Sequence, residues 1–314
     1  MLDEKMNWFS VSKINTFNSC SMKYKFNYID KIKKKTSFAL VRGSVVHKII
    51  QKHILEYFES GVLIETISPL EVAKEFILEI INRVIYDFKS EGDYSDYSFK
   101  KAFNLIVEND LQENYRSIKA EMKEEIKNHF KTYESFFTQI ALAIPETFEK
   151  LINLITSQGF SKIYSETKLI SHVRKYGLRG YLDLSAYDAQ TNKALIIEMK
   201  TSKQTSNKIK ENNINQILFY KNLYRKNFKN VDLKYFIVYI AILKTKININ
   251  IFDASDVENE NYSEELSKNL SSINNAVKHN LYSRKYDQHC SYCDFKEKCF
   301  KKRTEENKNL DEVG

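Results

Sequence analysis

At 314 residues the chain can bury a substantial core and fits one large domain or two ordinary ones, which excludes a small scaffold that needs staples to fold. Its 49 Lys and Arg against 41 Asp and Glu leave a formal charge of +8, which favours a polyanionic partner but also fits a compositional habit of Lys-rich solvated faces. No apolar stretch approaches the roughly 20 residues of a membrane span, so a soluble, cytoplasmic protein without a membrane partner is expected.

Seven Gly and two Pro punctuate the chain, with no Pro/Gly/Ser linker or internal repeat, so helix is expected to dominate one domain. From Ser12, read as an N-cap, SKINTFNSCSMKYKFNYI places Ile14, Phe17, Tyr24 and Tyr28 at mostly helical spacing, with Cys20 in mid-helix. A second helix is expected after Gly43, through SVVHKIIQKHILEYFES to a stop at Gly61. These two helices make up a segment 1–61. Segment 62–158 is amphipathic and charged, and reads as a helical insertion. The period then changes to two: SKIYSETKLI, LRGYLDLSAYD and KALIIEMKTS read as strands, the last two joined by a turn at Asp188 to Lys193. A helix from about Ile214 to Tyr224 and the buried strand LKYFIVYIAIL follow, completing a sheet core over 159–250. A last helix near Ser263 to His279 opens the final segment, 251–314. The expected class is an α/β sheet core inside a mostly helical protein.

The four cysteines fall at Cys20, Cys290, Cys293 and Cys299, one near the start and three crowded near the end. The residues up to Trp8 hold no apolar run, so an oxidising compartment and disulfides are not expected. A metal–thiolate site clasping the two ends suits the layout better. A distant first ligand followed by C-x2-C-x5-C is irregular for zinc and more natural for an iron–sulfur cluster. Closing a loop of roughly 270 residues would stabilise the fold by about 5 to 6 kcal/mol on a chain-entropy estimate. Of the histidines near the triplet, His279 and His289 read as surface residues, with His289 a remote candidate for the cluster.

In GYLDLSAYD, strict alternation puts Tyr181, Asp183 and Ser185 on one face and Leu182, Leu184 and Ala186 on the other. Glu198 and Lys200 in EMK must likewise share a face. Two carboxylates and an amine on neighbouring strands form a compact polar site whose oxygens suit Mg²⁺ or Mn²⁺, and Lys200 is placed to orient or deprotonate a water or to neutralise charge building on phosphorus. Glu166, on the preceding strand, reads as a strand-edge charge or a supporting acid and stays outside the site.

These residues together resemble the iron–sulfur branch of the PD-(D/E)XK nucleases, of the RecB and AddB type and the related CRISPR-adaptation family. The matching features, in order, are Cys20 in an N-terminal helix, GSVVH with His47, GYLDL with Asp183, EMK with Glu198 and Lys200, QILFY with Gln216 and Tyr220, and the terminal C-x2-C-x5-C. They span about residues 12 to 300. Ser21 stands where Pro often follows the first Cys, and Met199 where Tyr is frequent within ExK. The resemblance implies a restriction-endonuclease-like mixed sheet. It implies His47, Asp183, Glu198 and the Met199 carbonyl as metal ligands, Lys200 as the catalytic lysine, Gln216 and Tyr220 as further site residues, and the four cysteines as [4Fe-4S] ligands. His47 also shares a helical stripe with Ile50, Ile54 and Phe58, which alone would make it a half-buried core histidine.

The expected function is a metal-dependent DNA nuclease, exonucleolytic on single strands or DNA ends. The alternative is a DNA-end binding or processing subunit working within a helicase, recombination or integrase assembly. A redox or zinc-regulated protein is a third, weaker reading.

Overall fold

Two apolar runs, Lys193–Ser202 and Asp232–Ile242, are buried along most of their length, the pattern of strands covered on both faces. A computed structural model describes residues 8–32, 38–63, 66–69, 71–72, 75, 120–202, 205–206, 208–243, 247–287, 290–291 and 293–300, with side chains from 42 and 137 in the helices that begin at 38 and 120. In chain order the elements are β1 (Trp8–Phe9), α1 (Val11–Ser19), α2 (Ser21–Tyr24) running into a π-helical turn (Lys25–Ile29), α3 (Phe38–Ser60), α4 (Ala120–Ser157), β2 (Tyr164–Val173), β3 (Tyr176–Asp188), β4 (Lys193–Ser202), α5 (Ile209–Asn227), β5 (Asp232–Ile242), β6 (Ile247–Asp253) and α6 (Tyr262–His279). The sheet runs β1-β3-β4-β5-β6, with β2 on the other edge of β3. β4 and β5 are parallel, as are β1 and β3, and the remaining pairs are antiparallel.

Helices cover both faces. α3 and α4 bury Ile50, Ile54, Ile144 and Leu151 against Leu195, Ile197 and Met199. α1, α5 and α6 bury Ile14, Phe219 and Leu270 against Ile196, Tyr235 and Ile237. α5 is also pinned by a buried cation: the Lys221 ammonium donates to the carbonyls of Ser255 and Val257 at 2.8 Å and to Glu258, which Arg225 clamps through both oxygens. Leaving those carbonyls and that charge without partners would cost about 3 kcal/mol. Among the described residues no helix is long and apolar enough to cross a membrane.

Several expected boundaries move, each for a visible reason. The first helix is capped by Ser10 rather than Ser12, and Cys20 is extended (φ −164°, ψ 113°), so it separates α1 from α2 instead of lying in mid-helix. The chain bends there because Ser21 and Met22 bond the C-terminal segment: Ser283 N donates to Ser21 Oγ at 2.8 Å, and Met22 N donates to the Ser283 carbonyl at 3.1 Å. Gly43 lies inside α3, where a Cβ would stand 3.1 Å from Thr201 Oγ1; its smallness lets the helix approach the end of β4. α5 begins at Ile209, five residues before Ile214. The two-residue β1 is too short to carry a period, whereas β6 alternates Ile247, Ile249 and Ile251 with Asn, a strand signal that the expected elements did not include. Much of 62–158 lies outside the described residues, but Phe137, Ile140, Ile144, Phe148, Leu151 and Ile155 of α4 belong to the core.

Strict alternation fails in β3. Leu178 and Leu182 pack with the α5 layer, whereas Leu184 and Ala186 pack with the α3 layer, so the phase reverses at Asp183. Opposite lies Glu166, in the left-handed region at φ 48°. The register is the same on both sides, with Ser165 opposite Leu184 and Thr167 opposite Leu182, so no residue is inserted and the phase turns over within the ladder at the Glu166–Asp183 pair. On the edge away from β2, β3 pairs with β1 at Gly177–Leu178 and with β4 only from Leu184 onward. The interval 179–183 opens between them.

Candidate active site

The opening in the sheet is filled by side chains rather than a strand. Asp183 Oδ2 accepts from Met199 N at 2.7 Å, taking the place of a ladder carbonyl where β3 and β4 part. The Tyr220 hydroxyl donates to the Tyr181 carbonyl at 2.9 Å, and its ring lies where a Cβ on Gly180 would stand 2.4 Å from it. Tyr220 therefore holds the free edge of β3, its hydroxyl proton committed to the backbone. On β4, Lys200 Nζ lies 2.7 Å from Glu198 Oε1 and 2.9 Å from Gln216 Oε1, and the Gln216 amide donates to the same Glu198 oxygen. His47, from α3, brings Nδ1 to 3.6 Å from Asp183 Oδ1, beyond hydrogen-bond reach.

Strand period, the helical stripe and the post-motif helix thus bring His47, Asp183, Glu198, Lys200 and Gln216 to one place. Met199 contributes its N–H here, while its side chain is fully buried in the α3 layer. Glu198 is buried, and its Oε2 has no hydrogen-bond partner. Burial, and next the charge of Asp183, push its carboxyl up to about 7, against the pull of Lys200. An orphaned, buried carboxylate oxygen beside a second carboxylate and an imidazole is a donor set that fits a divalent cation.

Three supporting residues escaped sequence reasoning. Buried Gln51, one turn beyond His47 on α3, donates to the Asp183 carbonyl at 3.0 Å and to Glu166 Oε1 at 3.1 Å, so Glu166 does touch the frame of the site. The i,i+4 spacing from His47 was the available signal. The hydroxyl of Tyr235, fully buried and electrostatically coupled to Glu198, also lacks a partner. Arg284 bonds the Cys299 thiol at the other centre. By contrast His53 is a core residue paired with Glu56 at 3.0 Å, and the His172 ring lies tilted against Trp8.

All four cysteines line one cavity of about 180 Å³. Burial raises the Cys299 thiol, with Cys20 and Cys293 adding to the rise and Arg284 opposing it. Among the described residues no three His, Cys, Asp or Glu side chains form a ready single-ion shell. Four sulfurs around a void, one hydrogen-bonded by a guanidinium, are a donor set that fits a thiolate-bound cluster. His289 lies outside the described residues.

The chain matches the PD-(D/E)XK nuclease superfamily over residues 8–300. It belongs to that superfamily. PD-(D/E)XK membership makes nucleic-acid hydrolysis its class of chemistry, with DNA as the substrate the superfamily implies. No curated protein matches the chain. Among solved structures it is similar to a Eubacterium rectale protein described as "Putative exonuclease", at 13% identity over 93% of this chain and 92% of that one, with a TM-score of 0.44. It is also similar to SSO0001, at 16% identity over 65% of this chain and 95% of that one, with a TM-score of 0.30. Both scores are low, so membership rests on the match along the chain.

The raised carboxyl makes a prediction for the protein free of divalent cations. A folded-state value above the unfolded one, about 4.3, favours the fold at pH below the unfolded value, and that contribution is lost as pH rises through about 7. Glu198→Gln should therefore raise the Tm by a few degrees at pH 8 and leave it unchanged near pH 4. A lower Tm at pH 8 would mean that Lys200 outweighs burial.

Proposed function

We propose that this chain is a divalent-cation-dependent deoxyribonuclease, acting as an exonuclease on single-stranded DNA or DNA ends and stapled by a structural [4Fe-4S] cluster. The observation that carries the reading is the buried, unpartnered Glu198 Oε2 set beside Asp183 and Lys200. His47, Asp183 and Glu198 would hold Mg²⁺ or Mn²⁺, with the Met199 carbonyl as a further ligand. When bound, the cation polarises the scissile phosphate and acidifies the attacking water.

The chain's own residues do the rest. Lys200 donates to both Glu198 and Gln216; a lysine ammonium has three N–H donors, so one remains for a phosphate oxygen. Its charge opposes the negative charge that builds on phosphorus. Gln216 fixes Glu198 and Lys200 in one orientation, so neither pays for reorganisation during the reaction. The Met199 N–H anchors one oxygen of Asp183 and leaves the other facing His47. Gln51 and Tyr220 hold the backbone on either side of Asp183, which keeps that geometry in the gap of the sheet.

Digestion of end-labelled single-stranded and duplex DNA with Mg²⁺ or Mn²⁺ tests the reading. Asp183→Asn, whose amide oxygen still accepts from Met199, and Lys200→Ala should each slow cleavage by at least about 10²-fold while DNA binding survives. Binding without cleavage by the wild-type protein would instead make it a DNA-end binding subunit.

The cluster has its own test. Anaerobic purification should yield a brown protein with about four irons per chain, lost in Cys299→Ser together with thermal stability. One zinc per chain and no iron would refute it.

A further inference from the structure

We propose that the amide-lined pocket between α1 and α5 is a nucleobase subsite that receives the edge of one unpaired base beside the scissile phosphate. The inference rests on the nuclease reading above and adds where the substrate's base is held. The pocket has a volume of about 410 Å³, within the about 300–1,000 Å³ usual for small-ligand sites. Asn15 and Asn18 line it from α1, and Asn212, Ile214 and Asn215 from α5. Gln216 completes the wall, and this same side chain bonds Glu198 and Lys200. The pocket and the candidate reacting centre therefore share a residue.

The lining chemistry selects the ligand. Each primary amide offers a carbonyl acceptor and two N–H donors, the combination that reads base edges in single strands. Asn213 spends its amide on the Ile209 carbonyl one turn back. Among the described residues, the side chains of Asn15, Asn18, Asn212 and Asn215 form no hydrogen bond, so their donors and acceptors remain available. Ile214, 45% exposed, supplies an apolar surface on which a flat ring would lie. The lining includes Glu211 but no Lys or Arg, which suits the uncharged base and disfavours the phosphate. A paired base hides its Watson–Crick edge in the duplex, so a base must be unpaired to offer that edge to the pocket. Preference for single strands or frayed ends follows.

The experiment compares two fluorescent single strands of equal length, one with normal nucleotides and one with abasic residues, binding in the presence of a chelator that withholds the divalent cation. Cleavage of the normal strand with Mg²⁺ is measured in parallel. The wild-type protein should bind the base-bearing strand at least about tenfold more tightly than the abasic one. In N15A/N212A that ratio should fall to within about threefold. Alanine at exposed helical positions raises helix propensity, so the variant folds, and a thermal melt checks it. An unchanged ratio in the variant, with wild-type cleavage intact, overturns the subsite alone. A wild-type protein that neither binds nor cuts the normal strand overturns the nuclease reading and the subsite with it.

Discussion

A carboxylate withdrawn from water within a central strand destabilises a fold unless cations and donors meet it. Glu198 is in that position: β4 carries it into the layer between the sheet and α5, where Lys200 and Gln216 satisfy one oxygen and nothing satisfies the other. Much of the surrounding architecture serves this placement. Gly43 lets α3 close on β4 and bring His47 over, the left-handed Glu166 lies opposite Asp183 where the phase of β3 reverses, and Tyr220 holds the free edge of β3. The candidate site is thus a defect built into an otherwise continuous sheet, and the proposed function takes that defect as the place a substrate phosphate approaches.

The two ends of the chain bear on this site through α1. Ser21 and Ser283 exchange hydrogen bonds where α1 gives way to α2, and the four thiols line a cavity directly beside that junction. Ser19 lines both the thiol cavity and the amide pocket that abuts Gln216. Ser21 has a role of its own here: its hydroxyl both donates and accepts across the junction. Hydrogen bonds between the two end segments therefore hold the end of the helix that, with α5, lines the pocket abutting Gln216.

How much of this was legible in the sequence depends on which force governs each element. β4 and β5 were readable because burial on both faces demands continuous apolar runs, and Glu198 with Lys200 because a period of two leaves no choice of face. Gln216 was readable from the resemblance, yet Tyr220, grouped with it, proves to bind backbone. Asp183 was found, but the faces assigned around it were wrong beyond Leu182, because a left-handed Glu166 on a neighbouring strand breaks the alternation and no local signal on β3 announces it. Cys20 fell in an apparently continuous helix because the bend is imposed by Ser283, more than 200 residues away. Arg284 depends in the same way on adjacency that only the fold supplies, whereas Gln51 carried a signal in its i,i+4 spacing from His47 although its partners Glu166 and Asp183 lie more than 100 residues on.

Diffraction from crystals soaked in Mn²⁺, recorded at the manganese absorption edge, tests the central claim most directly. An anomalous peak about 2.0–2.2 Å from Glu198 Oε2 and bound also by Asp183 is the expected result. A peak elsewhere, with Glu198 Oε2 still unpartnered or turned away toward a protein donor, would contradict the claim that this buried oxygen exists to hold a cation.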